Sequence, residues 1–378
     1  MSTTPYTPLT MWRPVALLLL LLAPLPAFAV ETMRIAMGDS HGEVRVTGSA
    51  LAFGPDTEDA RFSPLAKDSV VVRRRGARLE LNGAPVIGNA VRFRAGQDSE
   101  DAGVPGSSPL RAGDMQVRGD VVVRLYKEGL QLINVIPLED YLAAVLGSEM
   151  PVSFPLEALK AQAVAARTYA LQKKLETYGS PFHMGSSVLH QVYGGLNRED
   201  ARTRSAVEAT RGEVLTYELA PIEAYFHASC GGRTESGQDA LQRNLPYLQA
   251  VDCPCGRLPA SRWSATLSDS ELHSALGQST EGFRVSSRTD THRVNRIATA
   301  SGLSVDGVTL RRKIGYTKLK SLGFEVERTS SGWHFNGRGY GHGAGLCQWG
   351  AKALADEGLA YRDILQHYYP GTELQQLY

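Results

Sequence analysis

Short runs in which apolar and polar positions alternate recur through the first third of the chain, from about residue 30 to 136. Glu43-Val44-Arg45-Val46, Ser69-Val70-Val71-Val72, Leu79-Glu80-Leu81 and Val91-Arg92-Phe93 are such runs, bounded by Gly, Pro, Asp and Asn. A period of two sends successive side chains to opposite faces, so this region reads as β-strands. Residues 95–113, rich in Gly, Ser, Asp and Pro, read as a loop. The apolar runs 121–125 and 130–135 flank Lys127-Glu128-Gly129 as a hairpin.

At Pro137 the period becomes helical. Residues 138–146 predict a helix with Glu139 and Asp140 in its first turn, where the helix dipole favours acids. After a break at Met150-Pro151-Val152-Ser153-Phe154-Pro155, a second helix is predicted over about 155–178, with Pro155 at its first position. Its middle, 158–170, is dense in Ala; small side chains let other backbones come close, so this helix is expected to be buried centrally. A helix over about 198–210 capped by Asn197, strands at 213–217 and 223–228, and helices near 348–356 and 361–368 complete the pattern. Residues 257–332 carry weaker signals of a smaller α+β insertion, and no internal repeat is visible. The fold class is therefore α+β: a mixed core around a long buried Ala-rich helix, an N-terminal β region and the insertion.

Composition narrows the picture. Apolar residues make up 43% of 378, enough for one large domain or two to three ordinary ones. Forty Lys and Arg against 39 Asp and Glu give a net charge of +1, with no electrostatic case for nucleic acid or an anionic membrane surface. Arg73-Arg74-Arg75 reads as a solvated strand edge. At the N-terminus, Arg13 precedes an apolar run over 15–22, and Ala27-Phe28-Ala29 fits the small-x-small cleavage pattern. Residues 1–29 therefore read as a signal peptide and the protein as exported, to periplasm or cell wall. An uncleaved anchor is the lesser alternative, because a span needs about 20 apolar residues. No Cys follows the run to carry a lipid, and no later stretch reads as a membrane span.

Export bears on the four cysteines, Cys230, Cys253, Cys255 and Cys347. An oxidising compartment favours disulfides among them, with Cys253 and Cys255, only Pro254 apart, expected to take different partners. A zinc site drawing on His227, Cys230, Cys253 and Cys255 is the competing reading, and no metal or cofactor is the expectation.

Three segments place polar residues where packing alone would not choose them. Glu149 stands at a helix end, where the dipole is negative and a carboxyl pKa should rise, as a general acid requires. An ordinary solvated Glu is the commoner meaning of such a position. On the following helix Lys160, Gln162 and Arg167 interrupt small apolar residues; Lys160 and Arg167, seven apart, share a face. The second segment couples Leu189-His190-Gln191-Val192-Tyr193 with Tyr225-Phe226-His227-Ala228-Ser229-Cys230-Gly231-Gly232-Arg233-Thr234-Glu235. The third, Gly337-Arg338-Gly339-Tyr340-Gly341-His342-Gly343-Ala344-Gly345, is too glycine-rich for a helix or stable strand, and holds His342 just before Gln348. Its glycine spacing resembles nucleotide loops only weakly, with no strand–turn–helix unit or downstream acid behind it.

Together these segments resemble the SpoIID/LytB family. The resemblance rests on Leu138-Glu139-Asp140-Tyr141-Leu142, Ser148-Glu149-Met150-Pro151, the Ala-rich helix from Leu156 through Ala166-Arg167-Thr168-Tyr169, Gly231-Gly232-Arg233-Thr234-Glu235 and Gly339-Tyr340-Gly341-His342-Gly343, in that order. It covers about 119–378, implying a catalytic domain there, with 257–332 as its insertion and 30–118 as a separate β-rich region. The family includes lytic transglycosylases that cleave peptide-stripped peptidoglycan strands, with the Glu of Glu-Met-Pro as catalytic acid; that is Glu149. It also includes enhancers of cell-wall amidases, and many members serve sporulation. By that resemblance Lys160, Gln162, Arg167, Tyr169, Gln191, Tyr193, His227, His342 and Gln348 are expected to bind sugar or orient Glu149. Some members bind zinc through Cys and His just before the Gln-x-Tyr segment; here His183 and His190 stand there without Cys, so that site is not expected. A lytic transglycosylase, a non-catalytic strand-binding amidase enhancer and, more weakly, a zinc hydrolase are the competing functions.

Overall fold

A computed structural model describes residues 30–40, 42–57, 59–96, 106, 108–186, 191–258 and 261–378; the signal-like segment 1–29 and His190 lie outside them. The structure is mixed α+β, as the patterning predicts.

The alternating runs become two sheets. One has seven strands in the order Met184–Gly185, Thr32–Ser40, Gly129–Pro137, Asp120–Tyr126, Ala90–Arg94, Ala52–Gly54, Ser63–Pro64, antiparallel except for the first pair. The other has six, in the order Met115–Val117, Leu110–Ala112, Glu43–Thr47, Ser69–Arg75, Arg78–Leu81, Ala84–Val86. Alternation works as expected: Glu43–Thr47 buries Val44 and Val46 and exposes Glu43 and Arg45. Arg73 and Arg75 are solvated, but their strand lies between two others and is not an edge; Arg73 pairs instead with Glu43 at 2.6 Å.

Among the described residues eight helices follow: α1 (Leu138–Glu149), α2 (Leu156–Glu176), α3 (Ala201–Glu208), α4 (Gly237–Leu241), α5 (Asp269–Leu276), α6 (Gly307–Ile314), α7 (Gln348–Asp356) and α8 (Tyr361–Tyr368). α2 is central, packed on α1, α3, α7, α8 and the strand Glu213–Tyr217. Its Ala158, Ala161, Ala163, Ala165 and Ala166 are fully buried, the small side chains admitting five neighbours at once. Both sheets, α1 and α2 share one hydrophobic core.

Two predicted elements differ. α3 starts at Ala201 and is capped by Asp200, not Asn197: the Asp200 side chain accepts from Arg202 N at 2.8 Å while Thr203 Oγ1 accepts from Asp200 N at 3.2 Å. Residues Gly195–Arg198 instead form a 3-10 turn. The strand expected at 223–228 shrinks to Phe226–His227, because Ala224 N and Tyr225 N bond back to Ile222 O and Glu223 O in tight turns.

The insertion has its own core, including Trp263, Leu310, Phe324, Trp333 and Phe335. Its last strand, Gly332–Arg338, takes in Gly337, expected in the loop: the Trp263 ring lies over that glycine, 2.2 Å from where a Cβ would stand. Arg293 Nη2 donating to Cys230 O (2.6 Å) and Gly341 N donating to Lys320 O (2.9 Å) dock the insertion on the main core. Among the described residues no helix is long and apolar enough to cross a membrane.

Candidate active site

α1 delivers Glu149 as its last residue, and Met150 then turns to extended backbone. Gly147 lets the helix end press on the 195–198 turn; a Cβ there would stand 1.9 Å from Arg198 O. Val192 N donates to Glu149 Oε1 at 2.7 Å. Val192 is held in turn by Gln191, whose Oε1 accepts from Tyr141 OH (3.0 Å) and whose Nε2 donates to Ala166 O (3.0 Å).

The glycine loop wraps the short parallel pair in which Phe226 and His227 lie beside Leu346 and Cys347. Gly341, at φ +116°, allows no Cβ, which would fall 2.6 Å from that of His227; one on Gly345 would meet Tyr225 O at 2.0 Å. His342 Nδ1 accepts from Ala344 N (3.1 Å), so its Nε2–H donates to Phe226 O (2.9 Å). His227 Nδ1–H donates to Ala344 O (3.1 Å), leaving a buried Nε2 lone pair with no partner. Burial keeps both rings neutral, lowering His342 to about 4 and His227 well below its ordinary value.

A cleft of about 670 Å³ runs between the main core and the insertion. Glu149, Tyr169, Tyr225, His227 and His342 line one side; Arg311, Tyr316, Lys320 and Tyr340 line the other. Glu149 is the only carboxylate among the described residues lining it. Burial raises the Glu149 pKa, and the Val192 N–H and the Gln348 amide pull it only part of the way back. Gln348 faces the carboxyl without completing a hydrogen bond of normal geometry, and its Nε2 is buried without a partner. Arg311 sits 4.8 Å from the Tyr316 ring centre, and Lys320 Nζ 5.0 Å from that of Tyr340. Burial lowers Arg311 to about 10, which leaves it cationic at neutral pH.

Of the residues predicted from sequence, Glu149, Tyr169, His227 and His342 line the cleft and Gln348 faces Glu149. Lys160, Gln162, Arg167, Gln191 and Tyr193 do not line it. Arg167, fully buried, pairs with Glu139 (2.6 and 2.9 Å) and donates to Glu213 O and Val207 O. Lys160 pairs with Glu157 at 2.7 Å, and Tyr193 OH donates to Asn134 Oδ1 at 2.8 Å. Gln162 is fully buried with its amide unpartnered. Arg167, Gln191 and Tyr193 thus spend their polar groups on partners in the interior of the fold. Arg311, Tyr316 and Lys320 went unseen because they come from the insertion; the one local hint was an Arg five residues before a Tyr. His183 Nδ1 accepts from Arg34 N at 3.2 Å. The expected disulfides are not formed: all four cysteines are free and buried.

The family model SpoIID, Stage II sporulation protein, matches residues 126–217, the stretch that carries α1, α2, Glu149 and Val192. Stage II sporulation protein D of Bacillus subtilis is 32% identical over 302 residues, 75% of this chain and 87% of that protein. Its counterpart in Bacillus amyloliquefaciens is 35% identical over 277 residues, 68% of this chain and 79% of that one. The chain belongs to the SpoIID family. The amidase enhancer of B. subtilis is also similar, 32% identical over 290 residues, although this chain spans only 40% of its length. In this SpoIID chain the matched stretch ends at Tyr217, and only the fold brings Tyr225, His227 and His342 into the cleft of Glu149 and Gln348 to its carboxyl.

Proposed function

We propose that this chain is an exported lytic transglycosylase acting on peptide-stripped peptidoglycan strands, with Glu149 as its single acid and base. The observation that carries the reading is the lone carboxyl, held protonated-prone in a cleft walled by aromatic rings and two cations. Most glycosidases that use water work with a pair of carboxylates. An intramolecular nucleophile needs one. Glu149 gives its proton to the glycosidic oxygen as the bond to C1 of N-acetylmuramic acid breaks. The carboxylate then takes the proton of the C6 hydroxyl, whose oxygen closes on C1. Acid and base are restored, no water is consumed, and the strand ends in a 1,6-anhydro ring. Val192 N–H and the Gln348 amide stabilise the carboxylate between the two transfers. Tyr225, Tyr316 and Tyr340 offer faces for the rings.

The reaction begins from the protonated acid, so the rate is expected to fall as pH rises through the raised Glu149 pKa. A profile of kcat/KM from about pH 4 to 8 should show that limb above the ordinary carboxylate range, and a flat profile would contradict it. Tyr316→Ala removes part of the insertion wall and is expected to weaken strand binding about fivefold, roughly 1 kcal/mol, with little change in kcat. Equilibrium binding to glycan strands checks this; unchanged affinity would remove the insertion from the site.

The similarity to an amidase enhancer favours a second reading, in which the cleft grips strands without cutting them and recruits a cell-wall amidase. Incubation with peptide-free strands, followed by mass spectrometry of the ends, separates the two. Anhydro ends support the enzyme; bound but intact strands, with faster amidase release of peptides, support the enhancer.

A further inference from the structure

The four cysteines come from three separate stretches of chain. Cys230 follows the Phe226–His227 strand, Cys253 and Cys255 flank Pro254 at a 3-10 turn, and Cys347 caps α7. Their sulfurs nevertheless meet at one point: all four lie within 4.8 Å of one another and all are buried. Cys230 Sγ and Cys255 Sγ are 3.3 Å apart. A disulfide holds its sulfurs at about 2.05 Å. Four thiolates bound at about 2.3 Å around a tetrahedral ion stand roughly 3.8 Å apart, the spacing this cluster approaches.

Hydrogen-bond donors surround the sulfurs. Cys230 N and Gly350 N both donate to Cys347 Sγ at 3.3 Å, and Ser229 Oγ–H points at Cys255 Sγ at 3.5 Å. Tyr368 OH lies 3.2 Å from Cys253 Sγ. Such donors stabilise anionic sulfur and tune a bound metal, whereas disulfide sulfur accepts poorly. Gly350 is required there, since a Cβ would fall 2.4 Å from Cys253 Sγ and 2.0 Å from the Tyr368 hydroxyl.

We propose that Cys230, Cys253, Cys255 and Cys347 form a closed tetrathiolate site for one zinc ion. With four protein ligands no position is open to water, so the site is structural and not hydrolytic. His227 is outside it, its Nδ1 committed to Ala344 O. The ion staples the strands and loop behind the cleft: Cys347 pairs with His227 and directly precedes Gln348, and the Ser229–Tyr340 bridge anchors the His342 loop. In that last respect the inference rests on the cleft being the working site; the metal assignment itself does not.

The test is zinc content and thiol count on the purified full chain, prepared without chelator, so that neither readout involves glycan strands. The expected result is one zinc per chain by inductively coupled plasma mass spectrometry, with four thiols that react with Ellman's reagent only after denaturation in chelator. Removing the ion is expected to lower Tm by more than about 10 °C. Cys253→Ser and Cys347→Ser should each lose the zinc. A metal-free chain whose mass is lowered by the four hydrogens that two disulfides release would overturn the proposal. So would a metal-free chain whose four thiols are reduced and react freely. Iron in place of zinc would overturn the choice of ion. The wild-type metal content decides the matter even if the variants fail to fold.

Discussion

Glu149→Gln is expected to lower formation of 1,6-anhydro ends by at least about 10³-fold. A positioned general acid contributes about 10²–10⁴, and in the proposed mechanism the same group serves both proton transfers. Gln keeps the size of the side chain and an oxygen for the Val192 N–H, so the loss is chemical. The fold should be at least as stable at neutral pH. Burial raises the Glu149 pKa above its unfolded value, so the native state prefers the protonated carboxyl. The stability this contributes is complete below the unfolded pKa and is lost as pH rises through the folded one. Gln never ionises, so Tm of the variant, followed by circular dichroism between about pH 4 and 8, should show less of that decline. Product formed at the wild-type rate would remove Glu149 from the chemistry.

Arg167→Ala is expected to cost about 3–5 kcal/mol of stability, because it strands the buried Glu139 carboxylate. Gly212 N and Tyr378 OH still donate to Glu139, at 3.3 and 2.6 Å, but neither carries a charge to balance it. The same guanidinium holds the carbonyls of Val207 and Glu213, so α1, α2, the end of α3 and the following strand loosen together. Tm should fall by about 5 °C, while strand affinity per folded molecule stays the same. An unchanged Tm with lost affinity would instead return Arg167 to the sugar-binding role that the family resemblance implied.

That contrast marks what a single sequence can disclose. Period and punctuation placed α1, α2, α7, α8 and the hairpin at Lys127 well, because each is set by local spacing, proline and glycine. Glu149 was legible because it stands at a helix end before a proline-bracketed break. The roles of Arg167, Gln191 and Tyr193 were not, since a polar residue amid small apolar ones looks the same whether it faces a ligand or a buried partner. Arg311, Tyr316 and Lys320 were hidden for another reason: more than 150 residues separate them from Glu149, and only the docking of the insertion brings them opposite. The cysteines show the same limit. Cys253 and Cys255 looked destined for different partners, yet the turn at Pro254 sends both sulfurs to one centre.

The most direct test of the transglycosylase reading is mass spectrometry of peptide-free glycan strands after incubation with the purified chain from residue 30 onward. New 1,6-anhydromuramic ends, absent with Glu149→Gln, are the predicted result. Strands that remain intact while still bound, or that are cut to ordinary reducing ends, would contradict it.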